Sequence, residues 1–439
     1  MARSFPGGVV MDTEKRTAKR PVRKAPAPDF ITLPLKQHYG EDAIPLVKVG
    51  DRVLKGQKIA EAAEGISCPV HSGISGTVTS IASFPTHDGE CLSVVIENDY
   101  KEELSPEVSP FEIPIAKASP EELISHMKEK GIVGMGGGAF PTWYKVASAR
   151  GKARRIIINC CECEPYITVD HRVLLEHPEE VVGGVKILLC AIGAERAVFA
   201  VDDKKEDAAE KLMEIVRGSD SFAVALFENK YPQGDERLLV RAVMGKEIPQ
   251  GALSTDVGAV VFNVGTCYAV YRAFVAGMPL VERAVTVDGD CVKDPDNILV
   301  PLGTSFAKAL EFCGGVSAKP DKLISGGVMM GTCQWTDRVP VTKGISAVLA
   351  ITSKEEEKTA CIRCGRCVRV CPMRLMPAAF FRDGAPRPVG VLQKYSVMTC
   401  SECGCCTYVC PARIPILEYI RWGKKMCSAA EKTAEGKGE

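Results

Sequence analysis

Short apolar runs punctuated by glycine occupy the chain from Asp29 to about Tyr100. Ile44–Val49, Val53–Ala60 and Cys68–Val78 come one after another, broken at Gly50, Gly56, Gly73 and Gly76. Brief strands between such turns predict a small β-sandwich or barrel. After a linker at 101–120, Leu123 and Met127 fall on one face of an amphipathic helix, with Pro120 near its start and Gly131 as its stop. From Arg155 the period alternates. A buried strand at Arg155–Ile158 precedes a helix over roughly 172–192 with a break at His177-Pro178. Then come a strand at Ala197–Val201, a charged helix at 205–217 and a strand at Phe222–Phe227. A helix opens after Tyr231–Arg237, and the strand Val260–Val264 leads through a loop into a helix over Cys267–Ala276. Alternation of this kind predicts a doubly wound α/β domain. Beyond Pro279 the chain is β-rich again. Ala284–Asp288, Ile298–Leu302, a helix at 304–313, Lys322–Ser325 and Val341–Thr352 suggest a β-grasp-like unit.

These patterns divide the chain into seven parts: a flexible basic arm (1–28), the barrel (29–100), the linker (101–120), the α/β domain (121–280), the β-grasp unit (281–353), a cysteine-rich domain (354–427) and a tail (428–439). The tail is rich in Lys, Glu and Gly from Ala429 on and is expected to be disordered. The arm carries Lys15, Arg16, Lys19, Arg20, Arg23 and Lys24, with Pro21, Pro26 and Pro28 set against helix.

The cysteine-rich domain changes the picture most. Cys361, Cys364, Cys367 and Cys371-Pro372 are spaced C-x2-C-x2-C-x3-C-P, and the same spacing recurs at Cys400, Cys403, Cys406 and Cys410-Pro411. This is the two-cluster ferredoxin pattern, in which the fourth thiolate of each cluster comes from the other motif. Cys361, Cys364, Cys367 and Cys410 are therefore assigned to one 4Fe–4S cluster, and Cys400, Cys403, Cys406 and Cys371 to the other. Two zinc sites or a disulfide framework are the competing readings. Zinc usually takes paired C-x2-C units rather than triplets with a distal Cys-Pro. Cys405, between two of these ligands, has no role in the pattern.

Composition adds little direction. Lys plus Arg and Asp plus Glu are both 55, which gives no reason to expect a nucleic acid. The 20 cysteines favour a reducing compartment. No secretory core and no apolar run of about 18 residues is present, so the chain is not expected to cross a membrane, which leaves docking on a membrane complex open.

Candidate ligand chemistry lies in the α/β domain. Gly134, Gly136, Gly137 and Gly138 form a loop whose backbone can approach a flat or phosphorylated ligand. Gly134, Gly136 and Ala139 satisfy G-x-G-x-x-A, but a helix rather than a strand precedes them and Pro141 interrupts the next segment, so the ordinary dinucleotide fingerprint is rejected. Asn159, Glu162 and Glu164 stand at the C-terminal end of a strand, where such sheets bind ligands. Cys160, Cys161 and Cys163 are not expected to bind metal, because neighbouring residues at a strand end face opposite ways and no fourth ligand is near. His71 is read as structural.

The motifs Gly134–Thr142, Glu162-Cys163-Glu164-Pro165-Tyr166, Tyr231–Glu236 and Cys361–Pro372, in this order, resemble the RnfC family, the C subunits of Rnf ion-translocating electron-transport complexes. That family is similar to the NADH-binding flavoprotein subunit of complex I. The 29–100 segment also resembles the barrel-sandwich fold of biotinyl and lipoyl carriers, without their modified lysine. The resemblance implies an α/β multidomain protein: a barrel-sandwich β module, a complex-I-flavoprotein-like FMN domain, an SLBB-like β-grasp domain and a two-cluster ferredoxin domain. It implies FMN and NAD(H) as cofactors beside the two 4Fe–4S clusters. Around the flavin it puts Gly134, Gly136, Gly137 and Lys145, with Asn159, Glu162 and Glu164 bonding to the ring or ribityl chain. Glu164 would also sit near the nicotinamide. Tyr231, Gly234, Asp235 and Glu236 would lie against the ring, Asn263 and Thr266 near the phosphate, and Phe140 on the adenine. Met135, Cys161 and Phe262 stand where the relative has Arg, Asp and Asn.

The implied function is hydride exchange between NAD(H) and FMN, with single electrons relayed through the clusters. Ion translocation would belong to membrane partner subunits, and a ferredoxin-interacting subunit is a further implied partner. The expected location is peripheral, on the cytoplasmic face of the cell membrane. A cobalamin-reductase-type flavoprotein and a non-catalytic electron-wiring scaffold are the alternatives; the barrel ahead of the glycine loop argues for Rnf.

Overall fold

The computed structural model describes residues 4–11, 15–353 and 357–435. Its centre is a sheet of four parallel strands in the order Phe222–Phe227, Arg196–Asp202, Arg155–Cys160, Ala259–Asn263. Ile156, Ile157 and Ile158 are all fully buried, as a strand covered on both faces requires. Among the described residues seven helices belong to this domain: α1 (Pro120–Glu129), α2 (Thr142–Ala149), α3 (Val169–Glu176), α4 (Pro178–Ile192), α5 (Glu206–Ile215), α6 (Glu236–Met244) and α7 (Val264–Val275). The break between α3 and α4 falls at His177-Pro178, where proline cannot continue the hydrogen-bond ladder but can open a new helix. Ser119 and Glu122 form a capping box on α1, and Leu123 and Met127 are its buried face. Cys160 packs into the core on one side of the sheet and Cys161 into the core on the other.

Two junctions differ from expectation. Pro141 does not interrupt a helix; it is the N-cap residue of α2, so the glycine loop runs straight into that helix. No loop separates the last strand from α7. Asn263 ends the strand and caps the helix at once, its Oδ1 accepting from Gly265 N at 2.8 Å.

The barrel consists of two small antiparallel sheets. One orders Phe30–Pro34, Gly89–Asn98, Gly76–Thr86 and Arg52–Val53; the other orders Ile44–Pro45, Lys58–Glu61 and Val70–His71. Its apolar interior is continuous with that of the α/β domain, since Ile31, Val53, Ile59 and Ile96 share one core with Leu123 and Val260. The β-grasp unit is a six-stranded mixed sheet with α8 (Phe306–Phe312). Its edge strand is Arg23–Lys24, paired in parallel with Asp296–Pro301.

That edge strand corrects the flexible-arm expectation for the described part of 1–28. Arg16 pairs with Asp288, Arg20 with Asp294 at 2.5 Å and Arg23 with Asp296 at 3.0 Å. These three arginines are spent on acids of the β-grasp unit, and Lys24 on Glu102 of the linker, so the described part of the arm is a docked strap. Lys15 goes deeper, to the loop that leaves the strand Arg155–Cys160.

The cysteine-rich domain carries α9 (Arg366–Arg369), α10 (Val389–Lys394), α11 (Cys405–Tyr408) and α12 (Ile416–Glu435). The tail expectation is corrected too: α12 continues through it to Glu435. Ile416, Ile420 and Cys427 anchor its apolar side on Phe380, Leu392 and Val397. Residues 436–439 lie outside the described set. Among the described residues no helix is long and apolar enough to cross a membrane.

Candidate functional site: a glycine-lined cavity joined to paired cysteine loops

The C-terminal ends of the central strands open on a cavity of about 430 Å³, in the size range of cofactor sites. The structure brings nearly all the predicted binding residues to its wall: Gly134, Gly136, Phe140, Lys145, Asn159, Glu162, Glu164, Tyr231, Gly234, Asp235, Glu236, Asn263 and Thr266. Gly137 is in the same loop, at a φ of +105° that favours glycine. A side chain on Gly136 would press on Asn263 at 3.3 Å, while one on Gly138 would meet nothing within 4 Å and project into free space. The glycines thus leave the backbone of the loop open to the cavity.

The loop is held from three sides. Met135 N donates to Thr266 Oγ1 at 2.9 Å, from the first turn of α7. Tyr39 N, from the barrel, donates to the Ala139 carbonyl at 3.1 Å. Arg283, from the β-grasp sheet, donates to the Met135 carbonyl at 2.6 Å and to the Lys343 carbonyl. Lys343 in turn donates to Pro69 and Gly131 carbonyls, each at 2.8 Å, tying barrel, α/β domain and β-grasp unit at one point. Burial pushes its ammonium down to about 8. His71 is buried beside it, and burial lowers the pKa of its ring well below the usual histidine range.

The polar residues are already engaged with one another. Asn159 donates to Gly234 O at 2.8 Å and accepts from Cys161 N at 3.1 Å, which fixes the Tyr231–Glu236 turn over the strand end. Asp235 caps α6, accepting from Arg237 N and Leu238 N; burial raises its pKa, and those two backbone donors oppose the rise. Glu236 lies 3.5 Å from Lys145 and accepts from Ser254 Oγ. Glu162 accepts from Asp170 N at 2.7 Å and His171 N at 3.4 Å, at the positive end of α3. Phe140 packs between Tyr39 and Tyr144.

Glu164 is placed differently from the flavin-bonding expectation. Its two carboxylate oxygens accept from Met329 N at 3.1 Å and Met330 N at 2.9 Å, in the β-grasp unit. Any side chain on Gly327 would collide with that carboxyl, the nearest atom being at 2.3 Å. Burial raises Glu164 to about 7, so it is a group that can gain or lose a proton near neutrality. Glu164 therefore lines the cavity while serving as a joint to the next domain.

Two contributors were missed in the sequence. Lys15 threads beneath the Glu162–Ile167 loop and donates to the carbonyls of Glu162 at 3.0 Å, Glu164 at 2.7 Å and Ile167. Asp170 sits on the cavity wall, its Oδ2 accepting from Asn263 Nδ2 at 2.6 Å. Neither belongs to a motif. Lys15 looks like one more charge of a solvated arm, and Asp170 like an ordinary acid in a helix's first turn.

The cysteines ring two spaces. Cys361, Cys364, Cys367 and Cys410 line one of about 820 Å³ that opens to solvent, with Cys361 and Cys364 exposed. Cys371, Cys400, Cys403 and Cys406 line a tight inner one with Phe380, Leu417 and Ile420. The two motifs thus exchange their fourth cysteines, Cys410 joining the first triplet and Cys371 the second. Among the described residues no three Cys, His, Asp or Glu side chains close on a point as a single metal ion would require. Two sets of four soft thiols around separate gaps suit clusters. Cys405 is fully buried and lines the inner space. Its thiol faces the Tyr231 carbonyl at 4.0 Å, on the wall shared with the main cavity.

The cavity and the inner cysteines share a wall. Tyr231 Oη donates to the Cys403 carbonyl at 2.7 Å in a buried contact. Val9 pairs with Tyr231 as an isolated bridge, and Gly8 N donates to the Val370 carbonyl at 2.8 Å, next to Cys371. The strap therefore laces the cavity turn to the cysteine domain.

Comparison with known proteins gives the same order of parts. Residues 3–101 match the RnfC barrel sandwich hybrid domain, 127–272 the Nuo51 FMN-binding domain, 284–332 the SLBB domain and 360–414 the 4Fe-4S dicluster domain. Over its whole length the chain is 41% identical to the C subunit of the proton-translocating ferredoxin:NAD(+) oxidoreductase complex of Clostridium ljungdahlii, covering 97% of it. It is 38% identical over 85% of its length to the C subunit of the Na(+)-translocating ferredoxin:NAD(+) oxidoreductase complex of Acetobacterium woodii, covering 86% of that chain. Against the C subunit of the ion-translocating oxidoreductase complex of Rhodobacter capsulatus the identity is 38%, over 85% of this chain and 73% of the relative. Among solved structures, a chain of an NAD+-reducing NiFe hydrogenase in the H2-reduced state aligns with TM-score 0.50 at 19% identity, over 72% of this chain and 63% of that one, a likeness of fold alone.

Proposed function

The chain belongs to the RnfC family, the C subunits of ion-translocating oxidoreductase complexes, and from that premise we propose that it exchanges hydride between NAD(H) and a bound FMN and relays single electrons through two 4Fe–4S clusters. Its partners are the other subunits of an Rnf-type complex, including membrane subunits that move the ion and a subunit that takes electrons from ferredoxin. It sits peripherally on the cytoplasmic face of the membrane.

The observation that carries this reading is the buried contact from Tyr231 to the Cys403 carbonyl. It makes the cavity and the inner cysteine set neighbours, as an electron relay needs. FMN, when bound, supplies the link between a two-electron donor and one-electron carriers. The chain's residues supply the rest. The glycine loop would admit the ring, and Gly234 lets its turn close onto Asn159 and the Cys161 carbonyl at the strand end. Lys145 and the N-terminus of α7, with Asn263 and Thr266, offset phosphate charge. Glu164, raised to about 7 by burial, would hold or give a proton at the cavity wall while its oxygens stay on Met329 N and Met330 N. The barrel and β-grasp residues around Arg283 and Lys343 keep the loop in shape and water out.

The Cys371, Cys400, Cys403 and Cys406 set would hold a cluster beside the cavity and the Cys361, Cys364, Cys367 and Cys410 set one at the exposed end, so that single electrons could pass between the flavin and a partner. The exposed rim there carries Arg363, Arg366 and Arg369, which suits a partner of negative charge. The test is direct. Anaerobically prepared protein is expected to hold about eight irons and one FMN per chain, and NADH is expected to bleach the flavin and then the clusters. A flavin that NADH leaves unchanged would sink the dehydrogenase role and leave the electron-wiring one.

A further inference from the structure

The residues beneath the cavity form a charge cluster in which Asp202, Lys205 and Arg283 are buried and Lys15, Glu162 and Asp170 half-buried. Lys205 pairs with Asp202 and also donates to the Glu162 carbonyl at 3.4 Å. Lys15 lies under the same loop. Arg283 is fully buried behind Met135, and its Nε has no hydrogen-bond partner. Lys15, Lys205 and Arg283 set against Asp202, Glu162 and Asp170 give a balanced group when all are ionised. Five of the six are anchored by an ion pair, by helix N–H groups or by carbonyls. Asp170 is the exception. Among the described residues its carboxylate accepts only from the Asn263 amide.

Asp170 also occupies a special place. With Met135 it lines both the main cavity and a second, mostly apolar one of about 50 Å³. Tyr268, Arg272, Glu282 and Arg283 are the other polar groups on its wall, beside which it can hold water. Arg272 and Glu282 pair and are partly exposed, so this inner cavity reaches toward solvent beside them.

We propose that Asp170 is a redox-linked proton carrier of the flavin cavity, taking up one proton when negative charge enters the cavity and releasing it toward the inner cavity when the electrons leave. The proposal rests on the flavin reading of the cavity. Each hydride that enters brings two electrons, one proton and one net negative charge. One proton from solvent then joins Asp170 Oδ, and the cluster of charges regains its balance. When two single electrons depart to the clusters, the proton that came with the hydride and the one on Asp170 both return to solvent.

The groups that face Asp170 agree on its direction. Burial first, and then the charge of Glu162 from the loop after Cys160, raise it to about 7. Arg283 from the β-grasp sheet, Asn263 at the start of α7 and Lys205 before α5 oppose the rise. The thiols of Cys160 and Cys267 lie close, both pushed up by burial and by Asp170 itself. On α3 itself His171 is paired with Asp207 and Arg172 with Glu176. The carboxyl is therefore held where one added charge moves its proton across neutrality.

The test uses the full chain with FMN and clusters in place, reduced at an electrode without oxygen. The flavin midpoint potential is measured in wild type and Asp170→Asn above about pH 7, where Asp170 starts ionised. The wild type is expected to bind one more proton per two electrons than the variant, a difference of about 30 mV for each tenfold change in proton activity. Infrared difference spectra on protein carrying carboxyl-13C aspartate give a second measure. Reduction is expected to create an isotope-shifted protonated-carboxyl band in wild type and none in the variant. Equal slopes, or no such band in wild type, overturn the proposal. Should the variant lose flavin, the wild-type isotope shift decides alone. A wild type that binds no FMN would end the flavin reading and this one together. One whose flavin responds to the electrode but not to NADH would end only the dehydrogenase role.

Discussion

Replacing Lys343 with Met tests how the three N-terminal domains are joined. The ammonium is fully buried and donates to two carbonyls, Pro69 of the barrel and Gly131 before the glycine loop. Burial lowers it from 10.5 to about 8. The unfolded chain therefore binds more protons than the folded one between those values, and stability rises with pH across that window. At about 1.36 kcal/mol for each tenfold change in proton activity, the interval amounts to a penalty of roughly 3.4 kcal/mol below pH 8, relieved progressively as the pH rises to 10.5. Met removes the penalty but leaves two buried carbonyls unpaired, at about 1–3 kcal/mol each. The two effects nearly cancel at about pH 7. The informative quantity is the pH dependence of the difference. Urea unfolding of wild type and Lys343→Met is to be compared in steps from about pH 7 to 10. Wild type should gain about 2–3 kcal/mol on the variant over that range, while the contributions of other groups cancel. A difference that stays flat would refute a buried, charged Lys343.

Other substitutions probe the relay and its frame. Tyr231→Phe removes the donor to the Cys403 carbonyl at a cost of about 1–3 kcal/mol; FMN is expected to stay, while the inner cluster's paramagnetic resonance signal shifts and its reduction by flavin slows. Cys403→Ala should lower iron from about eight to about four per chain, whereas Cys405→Ala should leave it near eight and change the inner cluster's potential instead; loss of iron in Cys405→Ala would show that it is a ligand. Lys15→Met deletes three hydrogen bonds under the Glu162–Ile167 loop and is expected to weaken FMN retention about tenfold, or about 1.4 kcal/mol, as read by ultrafiltration of the released flavin.

The readable and unreadable parts of this protein differ in the range of their causes. The Cys361–Cys371 and Cys400–Cys410 motifs, the α3–α4 break and the strand at Phe222–Phe227 are written in neighbouring residues, so spacing and period expose them. The glycine loop and the strand-end residues Asn159, Glu162 and Glu164 are legible from local chemistry, but that Asn159, Gly234 and Asn263 share one wall is legible only through motif resemblance, because they meet through the parallel sheet rather than along the chain. The arm was misread because Arg16, Arg20 and Arg23 find their acids at Asp288, Asp294 and Asp296, far along the sequence. Composition sees charge but not its distant partner. The tail was misread for the opposite reason. Its local composition suits disorder, but α12 is already nucleated and anchored by Ile416 and Ile420, so adding residues costs little. Glu164 was given a ligand contact, yet its oxygens point at Met329 and Met330 across a domain boundary that no local pattern reveals.

The strap at residues 4–11 has a consequence for how the protein is made. Lys230 donates to the Phe5 carbonyl, Val9 pairs with Tyr231, and Gly8 donates to the Val370 carbonyl beside Cys371. These residues leave the ribosome before their partners exist, and the last of those partners is next to a cluster ligand. The strap can be seated only after the cysteine domain has been synthesised, so it closes the molecule like a clasp fastened last. Cleavage of this segment by a protease should then track cluster insertion: rapid in chains assembled without iron, slow once both clusters are in place.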